Sequence, residues 1–368
     1  MRKLLLLASF LIPGSLFAQC TGSQPVANNA TLHAEYVVFM PTPATCFNGN
    51  MIFFAHGYVP QGAPAGAWLS QLALPDGTSL PGLLNSLGFG FAASGFSKDG
   101  LAIKQGMNDT KALATVIQSL HIPVQRYFIT GASEGGLIAT KLMEADTFFS
   151  GGVAVCGPIG DFRKQLNYVG DVRVLFDYFF PDVLPDDVIT VKPATILAWP
   201  TLEANIRNAV NSKPLQTLQL LSVANITIGL NASNAADAIV GILWYDIFGI
   251  NDAAATLGGI PFDNIGRVYK GSFNDARLNA MVDRIPGDSL NLTDYNTTGQ
   301  LKNPLVTLHT LADPIVPYSH EPLYGAKVAV AGKSSRLVQL PALAYGHCNV
   351  SANEAKAALL LMFLKAGF

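Results

Sequence analysis

The chain has 368 residues, half of them hydrophobic and 13% charged, with a formal net charge of −2. That composition excludes a disordered chain and suits one large α/β domain, or a core domain with a sizeable insertion. The near-neutral balance implies no strongly basic face, so nucleic acid is not expected as a partner.

The chain opens like a secretory signal. Arg2 and Lys3 supply positive charge, residues 4–11 are apolar, and Ala18 offers a small residue for cleavage. Cys20 follows, but Gln19 before it is too large for a lipoprotein site. The apolar run is too short to span a bilayer, and no later segment is expected to do so. The expected location is therefore secreted or periplasmic, without integral membrane association.

Residues 33–40 read as an early strand, 50–55 (NMIFFA) as a buried one and 87–93 as another. Residues 101–120 have helical spacing and turn Lys104, Asp109 and Lys111 outward. A short strand at 126–130 runs into Gly131, a helix is expected at 137–145, and a further strand at 151–156. This alternation predicts an α/β protein with a mostly parallel central sheet flanked by helices. It stops at residue 157. The stretch to 302 mixes helical and loop character and is rich in aromatics, among them Tyr168, Phe176, Trp199, Trp244 and Tyr245. It reads as a long, largely helical cap, since long insertions in compact domains usually carry function; an independent second domain is the alternative. Strands resume at 304–311 and 336–340. A closing helix spans 351–364, with Ser351 and Glu354 spaced as a capping box. The expected organisation is a signal at 1–19, core at 20–156, cap at 157–302 and core again at 303–368.

The segment Gly131-Ala132-Ser133-Glu134-Gly135 is a G-x-S-x-G between a predicted strand and a predicted helix. A sharp turn there pushes the serine hydroxyl out of the sheet, and the two glycines allow the close approach it requires. Ser133 is the candidate nucleophile; a passive serine in a glycine-rich turn is the plain alternative. Charge developing on the substrate needs two donors already in place. One is the backbone N–H of Glu134. The other is assigned to Tyr58, with Gly57 second, after the apolar run that ends in His56-Gly57. His56 stands too early in the chain to be the base and is expected to brace this loop.

The base should follow the last strand, where His347 stands behind Gly346. The acid should follow the strand before, where Asp313 precedes Pro314 and Pro317; Asp161 is the runner-up. His309 reads as a satisfied strand residue, and His320 as part of the next helix. The order serine, acid, histidine is the one found in α/β-hydrolases. Four cysteines in an exported chain suggest two disulfides with three possible pairings. Shared N-terminal placement favours Cys20 with Cys46, leaving Cys156 with Cys348; four buried thiols are the alternative. Asn225 and Asn349 begin Asn-x-Ser/Thr sequons.

With these residues in place the chain resembles the α/β-hydrolase superfamily, over residues 35–156 and 304–368. GASEGG, the D-x-x-V-P loop at Asp313 and Gly-His near the end are similar to secreted prolyl-oligopeptidase-like hydrolases and esterases. The resemblance implies the fold, hydrolysis through an acyl-enzyme without metal or other cofactor, and the roles of Ser133, Asp313 and His347. His347-Cys348 also resembles the tannase and feruloyl esterase group, where a cysteine before the nucleophile is bridged to one after the histidine. Ala132 occupies the first position here, and Cys156 is the expected substitute. The aromatic-ester specificity of that group therefore does not carry over. There is no room for the propeller that screens peptides in prolyl oligopeptidases. The expected activity is a carboxylic-ester hydrolase taking a small-molecule or oligomeric ester. A peptidase, or a non-catalytic binding protein on the same scaffold, are the alternatives.

Overall fold

A computed structural model of the protein describes residues 20, 22–29 and 34–368. The expected signal at 1–19 and the start of the expected first strand, at His33, lie outside the described residues. The strands are β1 (Gly22–Asn29), β2 (Tyr36–Thr42), β3 (Asn50–Ala55), β4 (Gly90–Ser94), β5 (Arg126–Ala132), β6 (Phe149–Val155), β7 (Leu305–Ala312) and β8 (Leu337–Tyr345). They form one sheet in the order β1-β2-β4-β3-β5-β6-β7-β8. β2 runs antiparallel to both its neighbours, and every pair from β4 to β8 is parallel.

Helices cover both faces, and β3 shows why its sequence reads as an unbroken apolar run. Met51, Phe53 and Ala55 point to one face, where they pack with α2 (Ile103–Ser119) and α3 (Glu134–Ala145). Ile52 and Phe54 point to the other, toward α1 (Leu80–Ser86) and α11 (Ala352–Lys365). A strand buried on both sides needs apolar residues at odd and even positions alike. On α2, Ile103, Gly106, Thr110, Leu113 and Ile117 are buried, the spacing of a one-faced helix. α11 carries the capping box, with the Ser351 side chain on the Glu354 N–H and the reverse.

Several bounds differ from the sequence reading. β1 is an additional strand, at the sheet edge, whose sequence GSQPVANN shows no apolar alternation. α1 is also additional; it is short, with Pro81 in its first turn and the Ser79 hydroxyl capping the Gly82 N–H. α3 begins at Glu134 rather than 137, because Gly135 and Gly136 hide its first turn from a propensity reading. β8 continues past Pro341 to Tyr345, which an edge strand permits.

Between β6 and β7 the chain folds into α4 (Phe162–Phe179), α5 (Pro193–Leu197), α6 (Trp199–Ser212), α7 (Pro214–Ala224), α8 (Ala235–Leu257) and α9 (Asp275–Met281). This segment, called the cap below, has its own core, built from Phe176, Phe180, Ile206, Leu220, Ile239 and Leu243. α10 (His320–Val330) follows β7. The expectation that no later segment could cross a bilayer is corrected: Ala232–Leu257 is long and apolar enough by length and composition. The reason is its place inside the cap, where α8 packs against α4 and α6 and carries the buried ion-paired Asp246 and Asp252. Asp252 ties the cap to the sheet, accepting from Lys98 Nζ at 3.1 Å, Gln61 Nε2 at 2.6 Å and the Leu101 N–H.

Candidate active site

The site stands at the edge where the parallel strands end. β5 delivers Ser133, whose φ of 58° and ψ of −123° are unusual for a residue with a side chain. The turn is so tight that a β-carbon on Gly131 would run into the Gly135 carbonyl, and one on Gly135 into the Ala55 carbonyl of β3. Ser133 is pinned by its own N–H, which donates to the Val155 carbonyl of β6 at 2.9 Å. Its hydroxyl is thereby held clear of the sheet at the head of α3, where the helix dipole favours negative charge.

His347 reaches the same point from the end of β8. Gly346 takes a φ of 107°, its N–H donates to the Ala312 carbonyl at 3.0 Å, and the Thr310 hydroxyl donates to its carbonyl at 2.7 Å. These bonds to β7 aim the ring. Its Nε2 lies 2.8 Å from Ser133 Oγ, and its Nδ1 lies 2.8 Å from Asp313 Oδ2. Asp313 is buried, with Oδ1 accepting from the N–H groups of Ile315 at 2.9 Å and Val316 at 3.0 Å. Burial alone would raise its carboxyl. The charge on His347 and hydrogen bonds from His309 and His347 outweigh that and hold it well below the usual carboxylate range.

His309 is a buried β7 residue with Nε2 donating to the Val316 carbonyl at 2.9 Å and Nδ1 3.3 Å from Glu321. Burial would lower its pKa, but Asp313 and Glu321 bring it up to about 9. A cation therefore stands behind the acid. His320 opens α10, and its Nδ1 accepts from the Gly160 N–H at 3.1 Å. Asp161 caps α4, accepting from the Lys164 N–H at 3.2 Å, and its carboxylate makes no hydrogen bond to His347. His56 Nδ1 donates to the Gly57 carbonyl at 2.6 Å and its ring stacks on Phe96, with centroids 3.9 Å apart. Burial lowers its pKa to about 4, so it stays neutral.

The Gly57 N–H, the second choice for an oxyanion donor, is already donated to Gln71 Oε1 at 2.6 Å. Among the described residues the N–H groups of Tyr58 and Glu134 have no such acceptor. The Glu134 side chain has a separate place: its Oε1 accepts from the Ala102 N–H at 2.6 Å. Burial lifts its carboxyl to about 8, against the pull of that N–H and of Lys98. Disulfides join Cys20 to Cys46 and Cys156 to Cys348. The second ties the end of β6 to the residue after His347.

Two cavities meet at Ser133. One, of about 120 Å³, lies under the cap and is lined by Tyr58, Glu134, Leu166, Val169, Tyr245 and Ile250. The other, of about 300 Å³, is lined by Gln71, Leu74, Pro75, Leu80, His347 and Cys348. Tyr245 borders both and its phenol lies against Ser133. Sequence reasoning missed Tyr245 as a site residue, and Gln71 and Asp246 altogether. Tyr245 was visible only as one of the cap aromatics, and Gln71 has no signal around it.

No family model matches the chain, and no curated protein does. Solved structures with similar backbones include an esterase from Pyrococcus furiosus, at 12% identity and a TM-score of 0.47, covering 93% of this chain and 91% of that one. Another is the acylaminoacyl peptidase of Pyrococcus horikoshii, at 13% identity and a TM-score of 0.44, covering 90% of this chain. The chain spans only 39% of that peptidase's length. A third is the rice cell wall degrading esterase from Xanthomonas oryzae, at 13% identity and a TM-score of 0.42, covering 90% of this chain and 82% of that one. In its strand order, its single reversed strand β2 and the strand–turn–helix around Ser133, the chain has the α/β-hydrolase fold.

Proposed function

We propose that the protein is a serine hydrolase that cleaves carboxylic esters through an acyl-enzyme. The observation that carries this reading is the hydrogen-bonded line Asp313–His347–Ser133, with both links at 2.8 Å. Ser133 Oγ attacks the ester carbonyl while His347 Nε2 takes its proton. Asp313 keeps the proton of the ring on Nδ1 and stabilises the imidazolium. The oxyanion is received by the N–H groups of Tyr58 and Glu134. The imidazolium then returns its proton to the departing alkoxide, and the bond from the carbonyl carbon to that oxygen breaks. Water repeats the sequence on the acyl-enzyme, releasing the acid and restoring Ser133.

The placement of His347 supports different roles for the two cavities. The leaving group must depart beside the imidazole that protonates it, so the cavity lined by His347 receives the alcohol half. The cavity under the cap, which Glu134 lines and His347 does not, receives the acyl half. Its walls are mostly apolar, which favours an ester over a peptide, whose buried amides would need partners. Two disulfides support a location outside the cytoplasm.

A fluorophosphonate probe should label Ser133 in the folded protein, and short nitrophenyl esters should turn over faster than peptide anilides. Faster anilide cleavage would replace this reading with a peptidase. Failure to label would leave a binding protein on a hydrolase scaffold.

A further inference from the structure

The two cavities that meet at Ser133 are unequal. The acyl cavity measures about 120 Å³ and the alcohol cavity about 300 Å³. A void of about 150 Å³ lined by apolar side chains takes one benzene ring. The acyl cavity is therefore a little too small for a ring, and on the same scale it holds an unbranched chain of about six carbons at most.

Its walls fix that limit. Among the described residues, none that lines it is exposed, and Leu101, Ile103, Phe162 and Ala253 are buried. Protein interiors are close-packed, so a longer chain would have to push buried side chains out of place. α8 shapes the space from the cap side. Tyr245 lies against Ser133, and Gly249 and Ala253 follow on the same face, each one turn further along. Small residues at those two positions leave room for the chain. The alcohol cavity differs at its rim. Ala73 and Pro75 line it and are exposed, so a group that fills it can continue into solvent.

We propose that the protein removes short apolar acyl groups from larger alcohols, and that Gly249 and Ala253 set the acyl length. The bulk of the substrate then lies on the leaving side, where the cavity opens to solvent. This rests on the esterase reading above.

The test pairs two isomers, phenethyl acetate and ethyl phenylacetate, both of which release a primary alcohol. They contain the same atoms, with the ring on the alcohol in one and on the acyl group in the other. Wild-type kcat/KM should favour phenethyl acetate by at least about tenfold. Nitrophenyl esters of straight-chain acids give the length limit. Their kcat/KM should rise about fourfold per methylene up to about hexanoate, and fall at least about tenfold by decanoate. In Ala253→Leu the hexanoate-to-acetate ratio should drop at least about tenfold. In Leu166→Ala, which widens the cavity, the decanoate-to-hexanoate ratio should rise. The readout is a ratio within each protein, because a purely structural effect would slow both esters alike. Should a variant fail to fold, the wild-type ratios still decide. Equal rates for the isomers or a preference for ethyl phenylacetate would overturn the proposal. So would decanoate turned over as fast as hexanoate, or variant ratios equal to those of wild type. If esters are hydrolysed without these preferences, the esterase reading stands without this inference. If no ester is hydrolysed, both fall.

Discussion

The two walls of the cleft are held by different means. On the sheet side the backbone does the positioning: Ser133 sits on a turn that only glycines at 131 and 135 allow, and bonds to β7 aim His347. On the cap side, side chains do it: Arg173 holds Asp246, Asp252 ties α8 to Lys98 and Gln61, and Tyr58 donates its hydroxyl to the Phe248 carbonyl at 3.0 Å. A backbone-built wall leaves little room for substitution and suits groups whose geometry the reaction demands. A wall built from side chains can be altered residue by residue, which is how a single fold serves many substrates.

The largest effect should come from the sheet wall. Ser133→Ala should lower kcat by about 10⁶-fold while the melting temperature stays near wild type, since the change removes only a hydroxyl at the cleft. Turnover that survives in a preparation shown free of contaminating esterase would displace Ser133 as nucleophile. Asp313→Asn should cost about 10⁴-fold in kcat by favouring the wrong imidazole tautomer. If Asp161→Asn produces that loss instead, the acid has been misplaced. On the cap wall, Arg173→Met leaves the buried Asp246 and the half-buried Asp177 without their cation and should cost about 3–5 kcal/mol of stability, read in urea unfolding. The comparison predicts that fluorophosphonate labelling of Ser133 persists under conditions where the cap of this variant has loosened. Simultaneous loss of labelling and of cap structure would mean that the two walls are one cooperative unit.

The difference between the walls also explains what could be read in advance. The turn at Ser133 is local, so Gly131, Ser133 and Gly135 announce it within five residues. Asp313 and His347 are far apart in sequence, yet each follows a strand in a known chain order, and the fold brings their side chains into one hydrogen-bonded line with Ser133. The contacts of the cap wall have no such grammar. Nothing near Tyr245 says that it will lie against Ser133, and nothing near Asp246 says that Arg173 will meet it; both depend on how α4 and α8 cross. Edge elements were illegible for another reason. β1 is held by pairing with β2, and α1 is a two-turn helix, so neither needs a strong pattern of its own.

The Cys156–Cys348 bridge spans a sequence separation of 192 and clamps the turn that carries His347. Replacing both cysteines by serine should lower stability by about 3 kcal/mol, and reductant should lower the wild-type melting temperature by more than that of the double variant, which keeps only the Cys20–Cys46 bridge. The comparison is sharpened by rate: a bridge that serves only the unfolded chain leaves kcat alone, whereas one that aims His347 lowers it. A fall in kcat larger than can be explained by the unfolded fraction would assign the bridge to the sheet-side positioning.

The smallest effect tests the cation behind the acid. His309 is held protonated up to about pH 9 by Asp313 and Glu321, against an ordinary value of 6.5. A raised folded-state pKa contributes stability that is complete below the unfolded value and is lost as pH rises through the folded one. Wild-type stability should therefore decline between about pH 6.5 and 9, by on the order of 1 kcal/mol from this group, since Asp313 is shared with His347. His309→Gln keeps a side chain able to donate to the Val316 carbonyl but removes the titration, so the decline across that window should become shallower. Glu134, whose folded carboxyl is raised to about 8, gives a decline of the same sign from about pH 4.5 upward, and that part should survive in the variant. Urea unfolding at intervals across the range separates the two. An unchanged slope in His309→Gln would show that His309 is neutral in the folded protein.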